Sequence, residues 1–551
     1  MRKLLLCAMM LLCLTAPAGA QDSSDHNLKV AKNLEVFNAL YKYLELMYVD
    51  TLDADKTVGT AINAMLRSLD PYTEYYPENR TEEYRQMLTG KYAGIGSIIS
   101  YSFTRKNVVI NEPYANMPAS EAGLRKGDII LSIDGMDMQG KPTAYVSEHL
   151  RGDAGTVMEL KVRRPSTGKT MTMKIKRRAI QMPSLPYYAM MDDSIGYVKL
   201  DSYLENTYED MRKAFLELRG KGMRRLLLDV RNNGGGSVQE ALKIINMFVP
   251  KDTHLLSMKG QLESSNKEYD AESLPIDTVM PIVIVVNENT ASASEITAGA
   301  LQDLDRAVVI GTRTFGKGLV QVPNIELPYN GKLKITTSKY YIPSGRCIQA
   351  LKYNANGTET VADSLTKVFY TANGRPVRDG GGITPDIKVM PDSLPNITFY
   401  LSSVDTTDIV LDYEIDYIAK HATIDSPATF ELSDEDYEEF KKMVIERGFT
   451  YDWVTGKRLK ELEELARIEG YYEDAKPEFE ALAKKLTHDI GKDLDYPYNR
   501  QKIKEMLAAD IVSAYYFEKG AMEYELRFDR QIKEALDLIR DTERYRSVLG
   551  K

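Results

Sequence analysis

Two short segments could do chemistry together. Thr290-Ala291-Ser292-Ala293-Ser294-Glu295 carries a hydroxyl, and Gly311-Thr312-Arg313-Thr314-Phe315-Gly316-Lys317-Gly318-Leu319-Val320-Gln321 carries an amine. Each follows an apolar run of β type, 281–286 and 307–310, so Ser292 and Lys317 are expected just past the carboxyl ends of buried strands, where open α/β sheets place active sites. A serine hydroxyl attacks only when a neighbour takes its proton, and a lysine can do so only if it starts uncharged. Desolvation brings a lysine pKa from about 10.4 towards 7 or 8, near the working pH of a general base. Phe315, Leu319 and Val320 supply apolar cover, and Gly316 and Gly318 let the backbone pass closely beside the lysine.

Other chemistries fit less well. None of His26, His149, His254, His421 and His488 stands in a strand-then-turn context with an acid and a serine. The nucleophile elbow Gly-x-Ser-x-Gly is absent, because Thr290 and Ser294 occupy the outer positions around Ser292. Gly311 to Lys317 matches most of a phosphate-binding P-loop. However, Gly318 offers no hydroxyl for magnesium, and 319–323 reads as a strand where a helix should begin.

Small residues often serve only close packing, and a lone lysine is usually solvated. A third element argues for more. The apolar strand 224–230 ends in Arg231-Asn232-Asn233-Gly234-Gly235-Gly236, whose backbone N–H groups, with that of Ala293, could stabilise the oxyanion of an acyl-transfer intermediate.

These segments resemble the carboxyl-terminal processing (tail-specific) serine peptidases: Asp-x-Arg-Asn-Asn-x-Gly-Gly over 229–236, Ser-Ala-Ser-Glu-Ile over 292–296, and Thr-Phe-Gly-Lys-Gly-x-Val-Gln over 314–321. The interval of 25 residues between positions 292 and 317 is typical of that family's dyad. The resemblance implies Ser292 as nucleophile, Lys317 as general base, Gln321 as the partner that orients it, and Asp303 as a supporting acid. It implies Gly235 and Ala293 as oxyanion donors. Thr290 and Gly234 depart from the commoner serine and proline of the family, at positions that supply no reacting atoms.

Residues 91–180 resemble a PDZ domain. Gly94-Ile95-Gly96, followed by Ser97 and Ile98, looks like a carboxylate-binding loop leading into the strand onto which a peptide tail adds. The segment 119–135 looks like the helix, turn and strand that follow, and alternating Val157, Leu160, Val162, then Met171, Met173, Ile175 supply the remaining strands. Backbone N–H groups that catch a free α-carboxylate distinguish a chain end from an internal stretch.

Arg2 and Lys3, an apolar stretch to Leu14 and Ala18-Gly19-Ala20 read as a cleavable export signal. Its removal takes Cys7 and Cys13, leaves Cys347 without an internal disulfide partner, and moves the formal charge from −9 to −11. That balance argues against nucleic acid as a partner, and no metal or cofactor motif is present.

The expected organisation is a multidomain α/β protein: signal peptide 1–20, N-terminal helical region 21–88, PDZ domain 89–180, Ser/Lys peptidase core 181–400 and C-terminal helical extension 401–551. Kinship with the peptidase family implies a crotonase-like, ClpP-like core. The tail has amphipathic segments at 435–445 and 501–538. They are expected to pack on the core, form a homo-oligomer contact or hold an adaptor. The reading is an exported, periplasmic or cell-envelope endopeptidase acting on flexible protein C-termini. The alternatives are a non-catalytic PDZ scaffold and, on the same core, an enzyme of acyl thioesters.

Overall fold

The computed structural model describes residues 19–354, 357–360, 362–403 and 408–551. Most of the expected signal segment, 1–18, lies outside the described residues. The chain divides into two compact units, Met1–Tyr75 and Tyr76–Lys551. In the first, helices α1 (Gly19–Met47) and α2 (Ala54–Arg67) occupy much of the expected N-terminal helical region 21–88. The Asp53 carboxylate caps α2 by accepting the Lys56 N–H at 3.0 Å.

The second unit begins its sheets with β1 (Lys91–Gly94), β2 (Ser97–Ser102), β3 (Asn107–Pro113) and β4 (Ile129–Ile133). Helix α3 (Thr143–Leu150), β5 (Val157–Arg163), β6 (Thr170–Lys176) and β7 (Arg178–Gln181) complete this module. The strand order is β2-β3-β4-β5-β6, with β1 paired to β7, and β2 is an edge strand. Along β5 the burial alternates residue by residue, which is the period-2 pattern of a sheet with one solvated face.

The central sheet comprises β8 (Tyr187–Met190), β9 (Ile195–Lys199), β10 (Arg225–Asp229), β12 (Ile282–Val286), β13 (Val308–Gly311) and β16 (Ile387–Lys388), in that spatial order. All neighbours are parallel except β8 with β9. Its strands are near-continuous Leu, Ile and Val because both faces are covered. Leu226, Leu228, Ile282, Ile284 and Val309 share one core with α4 (Thr207–Gly220), α5 (Val238–Asn246) and α6 (Ala293–Asp303). Leu227, Val283, Val285, Val308 and Ile310 point into the opposite core. A second, antiparallel sheet is built from β11 (His254–Gly260), β14 (Leu319–Glu326) and β15 (Lys332–Tyr341).

That opposite face is covered by the end of the chain. After α7 (Ile409–Lys420) and α8 (Pro497–Glu525) come α9 (Arg530–Arg540) and α10 (Thr542–Val548). Ile532, Ala535, Leu538, Ile539 and Tyr545 from these last two helices fill the core against the sheet. The segment read as one amphipathic stretch, 501–538, is thus two helices with different partners: α8 packs in a separate helical core with Ile397, Tyr437 and Phe440, and α9 in the peptidase core. Asp529 marks the break by accepting the Ile532 N–H as the N-cap of α9.

Residues 102–126 meet the helical segment through polar side chains. Asp408, ahead of α7, accepts the Ser102 hydroxyl at 2.6 Å and pairs with Arg105, while Lys126 meets Glu414 at 2.8 Å in a buried pair.

Candidate active site

The position of Ser292 is fixed from the end of β12 onward. Thr290 is buried and sends its hydroxyl to the Val230 carbonyl at 2.9 Å, tying the loop to the neighbouring strand β10. Asn233 O accepts both the Ala291 N–H at 2.9 Å and the Ser294 hydroxyl at 3.0 Å, which stitches the glycine run to the residues flanking Ser292. Ser292 adopts φ 56°, ψ −118°, a left-handed φ unusual for a residue with a Cβ. It stands at the N-terminus of α6, where the first amide, Ala293 N–H, and the helix dipole favour negative charge.

Lys317 is half-buried in the loop between β13 and β14. Phe315 N–H donates to Thr290 O at 3.0 Å, and the Tyr340 hydroxyl donates to Lys317 O at 2.7 Å. Gly316 has φ +85°, and a Cβ there would meet the Ala350 Cβ at 2.4 Å, so only glycine lets the loop pass.

One residue joins both segments, and its role was not read from the sequence. Glu295, in the first turn of α6, is fully buried. Its Oε2 accepts the N–H of Ser292 at 2.9 Å and the N–H of Lys317 at 2.8 Å. Its Oε1 accepts the Gly316 N–H at 2.7 Å and the Thr314 hydroxyl at 2.6 Å. Burial pushes its carboxyl pKa up, and these four donors pull against that shift. The backbone nitrogens of Ser292 and Lys317 therefore lie no farther apart than the sum of their distances to one oxygen.

The remaining expected residues fall less uniformly. Gln321, in β14, donates from its side-chain amide to Thr336 Oγ1 at 3.1 Å. Gly235 presses on Ser292, since a Cβ built on it would stand 2.8 Å from Ser292 Cβ. Its N–H, expected as an oxyanion donor, donates to Asn233 Oδ1 at 2.8 Å, so that bond must open before the amide can face a substrate.

Asp303, expected as a supporting acid, lies at the far end of the helix that begins after Ser292. It ends α6, eleven residues beyond Ser292 and so roughly 16 Å along the helix axis at about 1.5 Å per residue. There it forms a buried pair with Arg346 at 2.7 Å and accepts the Ser344 N–H. Its carboxylate thus joins α6 to the 343–346 turn.

Behind the glycine run, Asp229 and Arg231 form a second buried cluster. The Asp229 carboxylate accepts the Tyr197 hydroxyl at 2.8 Å and the Arg231 Nε at 3.0 Å. Burial works to raise the Asp229 pKa, but Arg231 and Lys199 together hold it below the ordinary range.

In the PDZ-like module, Gly94 to Gly96 connects β1 to β2, with Gly96 at φ +72° and Ile95 buried in the module's core. Ser97 sends its hydroxyl to Glu112 O at 2.9 Å, and Ile98 is exposed on the edge strand. The Gly94 turn lies beside the C-terminal end of α3, its built Cβ 3.7 Å from Leu150 O. Among the described residues, no group of three His, Cys, Asp or Glu could hold a metal ion, and no helix is long and apolar enough to cross a membrane.

The model described as "Peptidase family S41" matches residues 194–360, "PDZ domain" matches 109–164, and "Probable PDZ-protease, C-terminal helical domain" matches 397–539. The "Carboxy-terminal-processing protease" of Bartonella bacilliformis is 34% identical over 324 residues, 58% of this chain and 73% of that protein. A "Probable CtpA-like serine protease" of Staphylococcus haemolyticus is 35% identical over 311 residues, 56% of this chain and 61% of that protein. Among solved structures, the photosystem II D1 C-terminal processing protease is 29% identical, covering 65% of this chain and 88% of that one, with a TM-score of 0.37.

Proposed function

The chain belongs to the carboxy-terminal-processing serine proteases of peptidase family S41, and from that premise we propose an exported endopeptidase that uses Ser292 and Lys317 to cut proteins near their C-termini. The observation that carries this reading is the shared Glu295 oxygen, which ties the backbones of the two proposed reacting residues to one point.

In the proposed cycle, neutral Lys317 takes the proton of Ser292 as its oxygen attacks the scissile carbonyl. The oxyanion develops at the N-terminus of α6, against the Ala293 N–H, where the dipole favours it. Gly235 N–H joins it once the Asn233 carboxamide releases that donor. Collapse of the intermediate passes the lysine's proton to the leaving amine and leaves an acyl-serine. Lysine, neutral again, then draws a proton from the water that releases it. Gln321 orients the amine.

Substrate enters by its tail. The carboxylate is caught at Gly94, Ile95 and Gly96, and the peptide adds to the edge strand β2 from Ser97 and Ile98 onward. The core is of the crotonase-like type, and residues 1–20 direct export to the periplasm or cell envelope.

The test is purified parent, Ser292→Ala and Lys317→Ala acting on an unfolded protein with an apolar C-terminus, free or amidated. Cleavage by the parent alone, slowed by amidation, supports the dyad and tail capture. Equal cleavage by all three rejects the dyad, and tail-dependent binding without cleavage points to a scaffold.

A further inference from the structure

The glycine run beside Ser292 is held from a segment almost 300 residues away in sequence, and the geometry of its anchor is complete. Arg231 is the residue at which β10 gives way to 232–236. Its own N–H donates to Asp229 Oδ1 at 3.0 Å, and its carbonyl accepts Lys199 Nζ at 2.5 Å. Nε and one terminal nitrogen of the guanidinium are taken by Asp229. The other terminal nitrogen reaches the end of the chain, donating to Asp529 Oδ2 at 2.6 Å and to Gln531 Oε1 at 3.0 Å.

Both acceptors are themselves fixed. The second oxygen of Asp529 caps α9, whose apolar face is buried on the central sheet. Gln531 is 2% exposed and sends its amide to Val389 O at 2.8 Å, just past β16. Electrostatics point the same way. Arg231 is a largely buried cation facing two carboxylates, so removing one leaves the guanidinium to swing wholly to Asp229 and pull the loop with it.

We propose that Asp529 and Gln531 are positioning residues for the peptidase reaction. They act through Arg231 to hold residues 232–236 in register with Ser292, so that the C-terminal helices complete the active site. The effect follows from how steeply rate depends on donor placement, since a shift of about 1 Å in a catalytic group can cost 100-fold. Its catalytic half rests on the Ser292/Lys317 reading above.

Asp529→Asn is the informative variant, because asparagine caps a helix as well as aspartate does while withdrawing the charge from Arg231. Asp541→Asn, at the cap of α10, is the matched control outside the cluster. In the full chain, Asp529→Asn is expected to lower kcat on a short unstructured peptide at least tenfold, with KM within twofold and Tm near that of the control. Gln531→Ala should act in the same direction.

In an Arg231→Gln background, Asp529→Asn should cost nothing more, and an equal additional loss there overturns the proposal. Amide hydrogen exchange provides a readout independent of turnover. Faster exchange confined to 231–236 in Asp529→Asn supports the tether, and unchanged exchange there overturns it. If the parent shows no Ser292-dependent hydrolysis, the dyad reading fails, while the exchange measurement still decides the tether.

Discussion

Ser292 and Lys317 donate their backbone N–H groups to the same atom, Oε2 of Glu295, at 2.9 and 2.8 Å. A carboxylate with four donors around it cannot be replaced by an amide without turning one acceptor into a donor that faces other donors. Glu295→Gln should therefore lower kcat by about 100-fold or more, by misplacing both residues at once. Its near-ultraviolet circular dichroism should stay close to the parent's. A variant with parental kcat would remove Glu295 from the site.

Gly235→Ala tests how closely the loop is set on Ser292. The new Cβ would meet Ala291 O, Ala293 N and Ser292 Cβ at 2.8 Å, on a backbone with φ +98°. Strain of about 1–3 kcal/mol is expected, with near-complete loss of hydrolysis. Gly123→Ala also has a positive φ but nothing within 4 Å, so it should lose stability and keep kcat. Urea titrations and peptide turnover on the two variants separate the effects.

Asp303→Asn distinguishes a structural acid from a catalytic one. Arg346 would lose its charge partner in a site 1% exposed, at a cost on the order of 3 kcal/mol in unfolding free energy. The folded fraction, assayed at low temperature, should keep kcat within about threefold, as expected of a group some 16 Å from Ser292 along α6. A 100-fold loss of kcat in fully folded protein would restore the supporting-acid role.

Stability should also depend on pH through Glu414. Burial pushes its carboxyl up to about 8, the nearby Asp510 adds to the shift, and Lys126 opposes it. The folded protein thus holds a proton that the unfolded chain releases above its ordinary 4.5. Stability from this group is full below that pH, falls as pH rises towards 8 and levels off beyond. Calorimetric Tm between pH 5.5 and 9 should decline less in Glu414→Gln than in the parent, and parallel curves would refute the assignment.

The sequence displays what depends on neighbours along the chain. Strands 225–229, 282–286 and 308–311 stand out because parallel strands covered on both faces are unbroken apolar runs. Ser292 and Lys317 follow from their places after two of them. The part played by Glu295 does not, because its donors are mostly backbone N–H groups, which no residue type reveals, on a loop some twenty residues away. The Asp303–Arg346 pair was not legible either, because its partner lies more than 40 residues away on another segment. The apolar stripe Ile532, Ala535, Leu538 and Ile539 is visible as a helix face, but nothing in its spacing says that it covers the central sheet.

That covering has a consequence for the order in which the protein becomes whole. Synthesis proceeds from the N-terminus, so Ser292, Lys317 and the glycine run all emerge more than 200 residues before α9. Until then Leu227, Val283, Val285, Val308 and Ile310 have no lid, and Arg231 lacks its distant acceptors. An unfinished or clipped chain would show chaperones a bare apolar sheet and present substrate with a slack loop. With the proposed tether, the fold would withhold cutting power from a hydrolase that has not been built to its last helices.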